Sequence, residues 1–311
     1  MEYNKTSKIV AVKPSSEKRL GGYYLDLTSS IIDYQENRYG DFDENSIPMI
    51  GTKVNAYYNV VVILQYGLIL YDLILQDIDI ATNTSILKNI LTWLDQNKCI
   101  EGDSFVWKNV KDNPRYGLKA GYISAMTQGE AISFYLRMYE LFQEDKYLSY
   151  AQKAYNFLSK SYEEGGTKRI DNKGYLWYEE YPSSTPSFVL NGFVYTVFGI
   201  YDLYKKTQDP SVKKDFDECI RTLSANVHRY DVGYWSVYDL LHKELVMAYY
   251  QKNVHVPQME ALFFLTNNPV FLKYKTKWEK TLNPINILFV EIMYRVRYRW
   301  FWLSKKLNKT V

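Results

Sequence analysis

The sequence predicts a mainly α-helical chain, an incomplete (α/α) toroid of helical hairpins with short β-hairpin loops lining a cleft. Three observations lead there. Stretches with helical periodicity follow one another along most of the 311 residues. Longer aromatic stretches of alternating character return after helix pairs at intervals of roughly 60 residues, a faint internal repeat. Thirty-one residues are tyrosine, a ring with a polar tip that suits a wet groove better than a dry core, where each hydroxyl needs a partner. Stacked helical hairpins bury a common core and gather the decorated loops on one face.

Composition narrows the function. Apolar residues make up 47% and charged ones 23%, the balance of a folded globular chain. The net charge of +3 is small and dispersed, and no basic stripe interleaved with stacking rings precedes the C-terminus, which argues against nucleic acid as a partner. Cys99 and Cys219 are far apart and lack a CxxC neighbour, so packing is expected of them, not a disulfide framework or a zinc site. No apolar run in the first 22 residues matches a signal peptide's central region, and a cytoplasmic location is expected.

In chain order, residues 1–50 read as a turn-rich N-terminal extension ending in YGDFDENSIPMIG. DFDEN matches the start of a calcium loop, but glycine is absent at the sixth position and Thr52 stands at the twelfth, so a turn without metal is expected. Residues 51–283 form the helical body. YYNVVVILQYGLILYDLIL, 57–75, is broken by Asn59, Gln65, Gly67 and Asp72, which favours a helix buried among others over a membrane span. Further helices are expected over 86–97, 124–143, 145–161, 188–206, 211–228, 236–250, 257–266, 269–281 and 285–307, with proline and glycine at the joints. Strand-like loops are expected at 105–122, 174–192 and 229–239.

Residues 284–311 form a basic amphipathic helix. Ile285, Phe289, Ile292, Met293, Val296, Trp300, Leu303 and Leu307 share one stripe, whereas Arg295, Arg297, Arg299, Lys305, Lys306 and Lys309 lie off it. Phe301 and Trp302 widen the apolar surface. Such a helix either lies in an anionic membrane interface, placing the protein on the membrane's inner face, or docks on the core with a solvated basic side.

Several motifs in order resemble the helical C-terminal domain of the glucuronyl C5-epimerase family. These are QYGL (65–68), SAMTQGEAIS (124–133), WYEEYP (177–182) followed by PSFVLNGFVYTVFGIYDLY (186–204), YDL (238–240) and NNPVFLKYKTKW (267–278). The resemblance implies epimerisation of a uronic acid within a polysaccharide or oligosaccharide. It identifies Glu180 as the acid/base glutamate, Tyr181 and Tyr238 as tyrosines needed for activity, and Tyr250, with Tyr249 as the alternative, as the second proton-transfer group. The spacing from Tyr250 to His255 is one residue longer than the family pattern. Asn191, Gln128, Tyr178, Tyr249 and His255 are assigned to substrate binding. Leu241 stands where the family's substrate-binding arginine is expected.

The chemistry agrees with the residue types. Inverting carbon five removes a proton alpha to a carboxylate and returns one to the opposite face, so two proton-transfer groups must flank the ring. A free Glu titrates near ~4.3 and a Tyr near ~10, and burial must move them before both can act. The exchange calls for no metal or organic cofactor. Two alternatives stay open: a lyase that loses the group on carbon four after proton removal, and a glycan-binding protein without catalysis. A homodimer is also open.

Overall fold

The structure, a computed structural model, describes residues 7–307 except Lys18, Tyr39, Thr52 and Lys53, and describes the backbone alone over 297–307. At the N-terminus β1 (Val10–Ala11) pairs antiparallel with β2 (Leu25–Asp26), and a 3-10 turn at Thr28–Ser30 leads into α1 (Ile31–Gln35). A second hairpin joins β3 (Met49–Ile50) to β4 (Tyr57–Tyr58). Helices α2 (Val60–Leu75) and α3 (Ile80–Asn97) follow. Hairpin β5 (Cys99–Glu101) and β6 (Ser104–Val106) then precedes α4 (Ala125–Phe142) and α5 (Asp145–Leu158). Hairpin β7 (Lys168–Ile170) and β8 (Leu176–Tyr178) precedes α6 (Leu190–Thr207) and α7 (Pro210–Asn226). The chain ends with α8 (Ala248–Tyr250), a π-helical turn Gln251–His255, α9 (Val256–Thr266), α10 (Pro269–Thr281) and α11 (Pro284–Leu307).

Helix ends follow local chemistry. Asn59, Asp209 and Asn268 accept backbone N–H groups at the starts of α2, α7 and α10, and Pro210 and Pro269 occupy first-turn positions where a missing N–H costs nothing. Gln143, Gln208 and Asn267 end α4, α6 and α9 in left-handed conformation.

Helices α2, α4, α6 and α9 form an inner row, with α3, α5, α7 and α10 packed outside it. On α4 every residue from Ala125 to Met138 is buried, the mark of a helix walled on all sides. The ring does not close, and the N-terminal hairpin and the turn at 28–30 pack between α9 and α2. That segment is bolted to the inner row by a buried network. Arg137 pairs with Asp202 at 2.7 Å and donates to Gly22 O, and Tyr24 donates to Asp202 at 2.5 Å. Arg137 thus serves the fold and lies away from the cleft.

Two expectations need correction. Residues 236–250 do not form one helix: Val237 bridges to Leu245, Tyr238 N–H donates to Glu244 O, and helix begins only at Ala248. Asp239 is the physical reason, since its side chain accepts the N–H groups of His242 and Lys243 and competes with helical pairing. Of the strand-like loops, the first two are preceded by hairpins at 99–106 and 168–178 that overlap them only in part, and 229–239 holds within itself a single bridge between Asp231 and Ser236. DFDEN folds as a turn in which Asp43 accepts from Asn45 N–H, Ile47 N–H and the Tyr58 hydroxyl. On α11, Ile287, Val290 and Tyr294 pack beside Trp235 and Val246. The expectations for the side chains from Arg297 through Lys309 lie outside the described residues.

Glycines let α4 and α6 cross in backbone contact. A Cβ on Gly129 would stand 2.4 Å from Thr196 Cα, and one on Gly199 2.1 Å from Gly129 O. Gly199→Ala should therefore destabilise the protein by about 1–3 kcal/mol from overpacking, although helix propensity alone favours Ala by ~1 kcal/mol. Urea unfolding reads the sign, and a stabilised variant would contradict the close crossing.

Candidate active site

The WYEEYP segment is clamped on both sides by its own backbone. Glu179 N–H donates to Thr167 O at 2.9 Å, and Ala125 N–H, at the start of α4, donates to Glu179 O at 3.0 Å. Adjacent side chains of an extended segment point to opposite sides, so Glu179 and Glu180 part company. Glu179 accepts Ser187 N–H at 3.1 Å, Ser187 Oγ–H at 2.9 Å and Phe188 N–H at 3.1 Å. These bonds hold Phe188 at φ +48°, a left-handed conformation costly for a bulky residue. Glu179 organises the turn, as a capping residue would.

Glu180 turns toward α6 and is buried at 6% exposure. Gly192 makes room for it, because a Cβ there would stand 2.2 Å from Glu180 Oε2. The Tyr238 hydroxyl donates to Glu180 Oε1 at 3.3 Å and lies 3.4 Å from the Tyr181 hydroxyl, while Glu180 Oε2 has no hydrogen-bond partner. Burial pushes the Glu180 carboxyl up to about 7, against the pull of hydrogen bonds from Tyr181 and Tyr238. Tyr238 is fixed through its backbone: Leu190 N–H donates to Tyr238 O, and Leu240 N–H to Ser187 O. Its ring meets that of Tyr250 edge-on at 5.8 Å.

Tyr250 and His255 owe their meeting to the π turn. An α-helix brings residues four apart onto one face, whereas a π turn bonds residues five apart. The extra residue between Tyr250 and His255 is absorbed there, and the two rings stand 5.3 Å apart. His255 is fully buried behind Tyr250, with Nδ1 2.9 Å from Ser236 Oγ. Burial lowers its pKa to about 3, so the imidazole is neutral. It supports the wall and does not face the cleft, a correction to its assignment to substrate binding.

A cleft of about 550 Å³ opens beside this cluster, lined by Tyr181, Asn191, Tyr195, Tyr249 and Tyr250, with Ile9 of the N-terminal segment on the far wall. Asn191 Oδ1 has no hydrogen-bond partner. The Tyr249 hydroxyl lies 2.6 Å from Ser7 Oγ, which ties the N-terminal segment to the rim. Two further assignments need correction. Gln128 is fully buried and donates to Phe105 O at 2.9 Å and Ala154 O at 3.1 Å, facing β6 and α5. The Tyr178 hydroxyl donates to Asp215 of α7 at 2.8 Å, away from the cleft.

The geometry adds residues that motif reading passed over. Asp239 accepts from the Tyr116 hydroxyl at 2.7 Å and from Arg115 at 3.3 Å. Burial pushes Asp239 up, but its hydrogen bonds from Tyr116 and His242 outweigh that and hold it below the usual carboxylate range. The Tyr116 ring stacks on Tyr181 at 4.3 Å. Glu130 accepts from Gln65 at 2.8 Å, its other oxygen has no partner, and burial raises its carboxyl well above the ordinary value. An acid inside the apolar run of α4 was the signal for Glu130; a Pro-Arg-Tyr-Gly turn was the only one for Arg115 and Tyr116.

Comparison with known proteins agrees with the motifs. A family model described as D-glucuronyl C5-epimerase C-terminus matches residues 101–280. The uncharacterized protein MJ1128 of Methanocaldococcus jannaschii is 32% identical over 178 residues, which is 56% of this chain and 57% of that one. A D-glucuronyl C5-epimerase of Caenorhabditis elegans is 33% identical over 178 residues, 52% of this chain and 29% of that one. The chain therefore spans little more than half the length of the first relative and under a third of the second. A crystal structure of D-mannose isomerase is similar at a TM-score of 0.48 and 10% identity, over 71% of this chain and 59% of that one. The family match takes in the WYEEYP, YDL and NNPVFL motifs in order and covers more than half of the sequence, so this chain belongs to the D-glucuronyl C5-epimerase C-terminal family.

Proposed function

We propose that the protein is a carbohydrate epimerase that inverts carbon five of a uronic acid residue in a polysaccharide or its precursor, by proton transfer at both faces of the ring. The seat of Glu180 carries the reading: a carboxyl brought to about 7, one oxygen held by a tyrosine and the other unpartnered, beside a tyrosine-walled cleft. Ionised Glu180 takes the proton from carbon five, and the electron pair moves into the substrate's carboxylate. Burial raises Tyr250 well above its ordinary value, so it holds its proton at neutrality and delivers it to the opposite face. The resulting phenolate and the protonated Glu180 are reset by proton exchange. Tyr181 and Tyr238 hold Glu180 in line, and Asn191 and Tyr249 meet sugar hydroxyls. Neither step calls for a metal or an organic cofactor.

Incubation of uronic acid glycans in heavy water, followed by NMR, tests the reading through deuterium at carbon five. Glu180→Gln and Tyr250→Phe should each slow exchange on the order of 100-fold or more without unfolding the protein. Full activity in both would overturn the assignments, and a new ultraviolet-absorbing double bond would indicate elimination instead.

The pH dependence has a definite sign. A base with a carboxyl near 7 is protonated and idle below that value, so exchange should rise with pH through about 7 and then level. Stability runs the other way. A pKa raised in the folded state means that the contribution is full below the unfolded value near ~4.5 and is lost as pH rises through about 7. Near pH ~8, Glu180→Gln should thus melt no lower than the parent protein, and a clearly lower melting temperature would count against a buried, unpaired carboxylate.

We also place the protein against an anionic membrane surface through α11. Ile285, Leu288, Phe289, Ile292, Met293 and Val296 form an exposed apolar stripe on the side away from Val290 and Tyr294. In residues 284–311 six basic side chains stand against the single acid Glu291, which favours an anionic surface over a like-charged second copy. Among the described residues no helix is long and apolar enough to cross a membrane. The protein should float with phosphatidylserine vesicles and not with phosphatidylcholine alone, and Phe289→Glu should abolish flotation. Failure to float combined with dimeric sedimentation that Phe289→Glu disrupts would assign the stripe to a homodimer.

A further inference from the structure

The loop at 105–122 delivers a guanidinium to the proton-transfer cluster. Arg115 Cζ stands 5.7 Å from the ring centre of Tyr238 and 5.6 Å from that of Tyr116, which stacks on Tyr181. Two carboxylates from the segment after Tyr238 hold it there: Glu244 accepts from Nη1 at 2.6 Å and Asp239 from Nη2 at 3.3 Å. The side chain nevertheless stays 37% exposed. Leu241, where a cation is expected from the motif, is itself exposed and has no charge to offer. Chemistry at carbon five draws electron density onto the substrate's carboxylate, which needs a cation that stays charged throughout.

We propose that Arg115 is the carboxylate-recognition residue of this cleft, supplying from the 105–122 loop the positive charge that position 241 lacks. The inference rests on the uronic acid reading above. A guanidinium carries N–H donors in a planar fork, and its two protein partners leave donors for a bidentate contact with a ligand carboxylate. Asp239 and Glu244 set its direction, and the two flanking rings restrict its motion. Arg115 thereby selects a uronic acid over the neutral sugar of the same shape.

The test compares two probes, an oligosaccharide containing glucuronic acid and the same oligosaccharide with that carboxyl reduced to the alcohol. Binding is followed by calorimetry and carbon-five exchange by NMR in heavy water. Arg115→Gln should lose on the order of tenfold or more in affinity for the acidic probe and nothing for the reduced one, while Arg115→Lys recovers part of the loss. Lys119→Gln, on the same loop but exposed, should change neither. Equal loss on both probes would mean that Arg115 only braces the loop, and unchanged binding of the acidic probe would likewise overturn the proposal. If the parent protein prefers the acidic probe through Arg115 yet exchanges no deuterium, the epimerase reading fails and the carboxylate site stands. If the parent binds both probes equally, the carboxylate site fails.

Discussion

The contact between α4 and α6 is the constraint on which the site depends. Gly129 and Gly199 let the two helices approach until backbone meets backbone, and Gly192, a little more than one turn nearer the start of α6 than Thr196, leaves the hollow that Glu180 fills. Ala125, at the start of α4, donates to the carbonyl of Glu179, so the same pair of helices also grips the segment carrying the acid. Larger side chains at these positions would part the helices and move the carboxylate together. The buried Arg137–Asp202 pair joins the same two helices farther along and fastens the N-terminal segment over the gap in the ring. Breaking such a pair costs about 3–5 kcal/mol because it strands a charge without water.

The elements around the cleft carry several local penalties. Phe188 sits in a left-handed conformation, a π turn interrupts the helix from 248 to 266, and Glu180, Asn191, Glu130 and His255 each keep a buried polar atom without a hydrogen-bond partner. An unsatisfied buried polar group costs about 1–3 kcal/mol. Such costs persist where surrounding structure over-determines them. Glu179 and Tyr230 perform that over-determination at Phe188, since one accepts its N–H and the other donates to its carbonyl. The two adjacent carboxylates of WYEEYP therefore divide the work: Glu179 stiffens the turn that positions Glu180.

Much of this was legible beforehand because it is local. Apart from 236–250 and the start of α3, which begins at Ile80, the periodic segments became helices within a few residues of their expected limits, and caps such as Asn59 and Asp209 mark starts in the sequence. Glu180, Tyr181, Tyr238 and Tyr250 could be named from ordered motifs, and the structure brings them into one cluster, of which Tyr181 and Tyr250 line the cleft. The one-residue slip before His255 looked like a mismatch in sequence. In three dimensions it is a π turn that keeps both rings on one face.

By itself the sequence determined most of the helical hairpins, the ordered motifs that single out Glu180 and its neighbouring tyrosines as candidates, and the basic amphipathic composition of the C-terminal segment. These follow from the spacing of residue types along the chain, which a periodicity or a motif can carry. The tertiary structure alone decided that Gln128 and Tyr178 face away from the cleft, that 236–247 is a looped segment, and that Arg115 pairs with Asp239 beside Tyr238. Those outcomes depend on competition for partners distant in the chain: Phe105 and Ala154 claim Gln128, Asp215 claims Tyr178, and Asp239 draws Arg115 and Tyr116 across more than a hundred residues. No local pattern records which distant group wins a hydrogen bond, because that choice is made only when the helices pack.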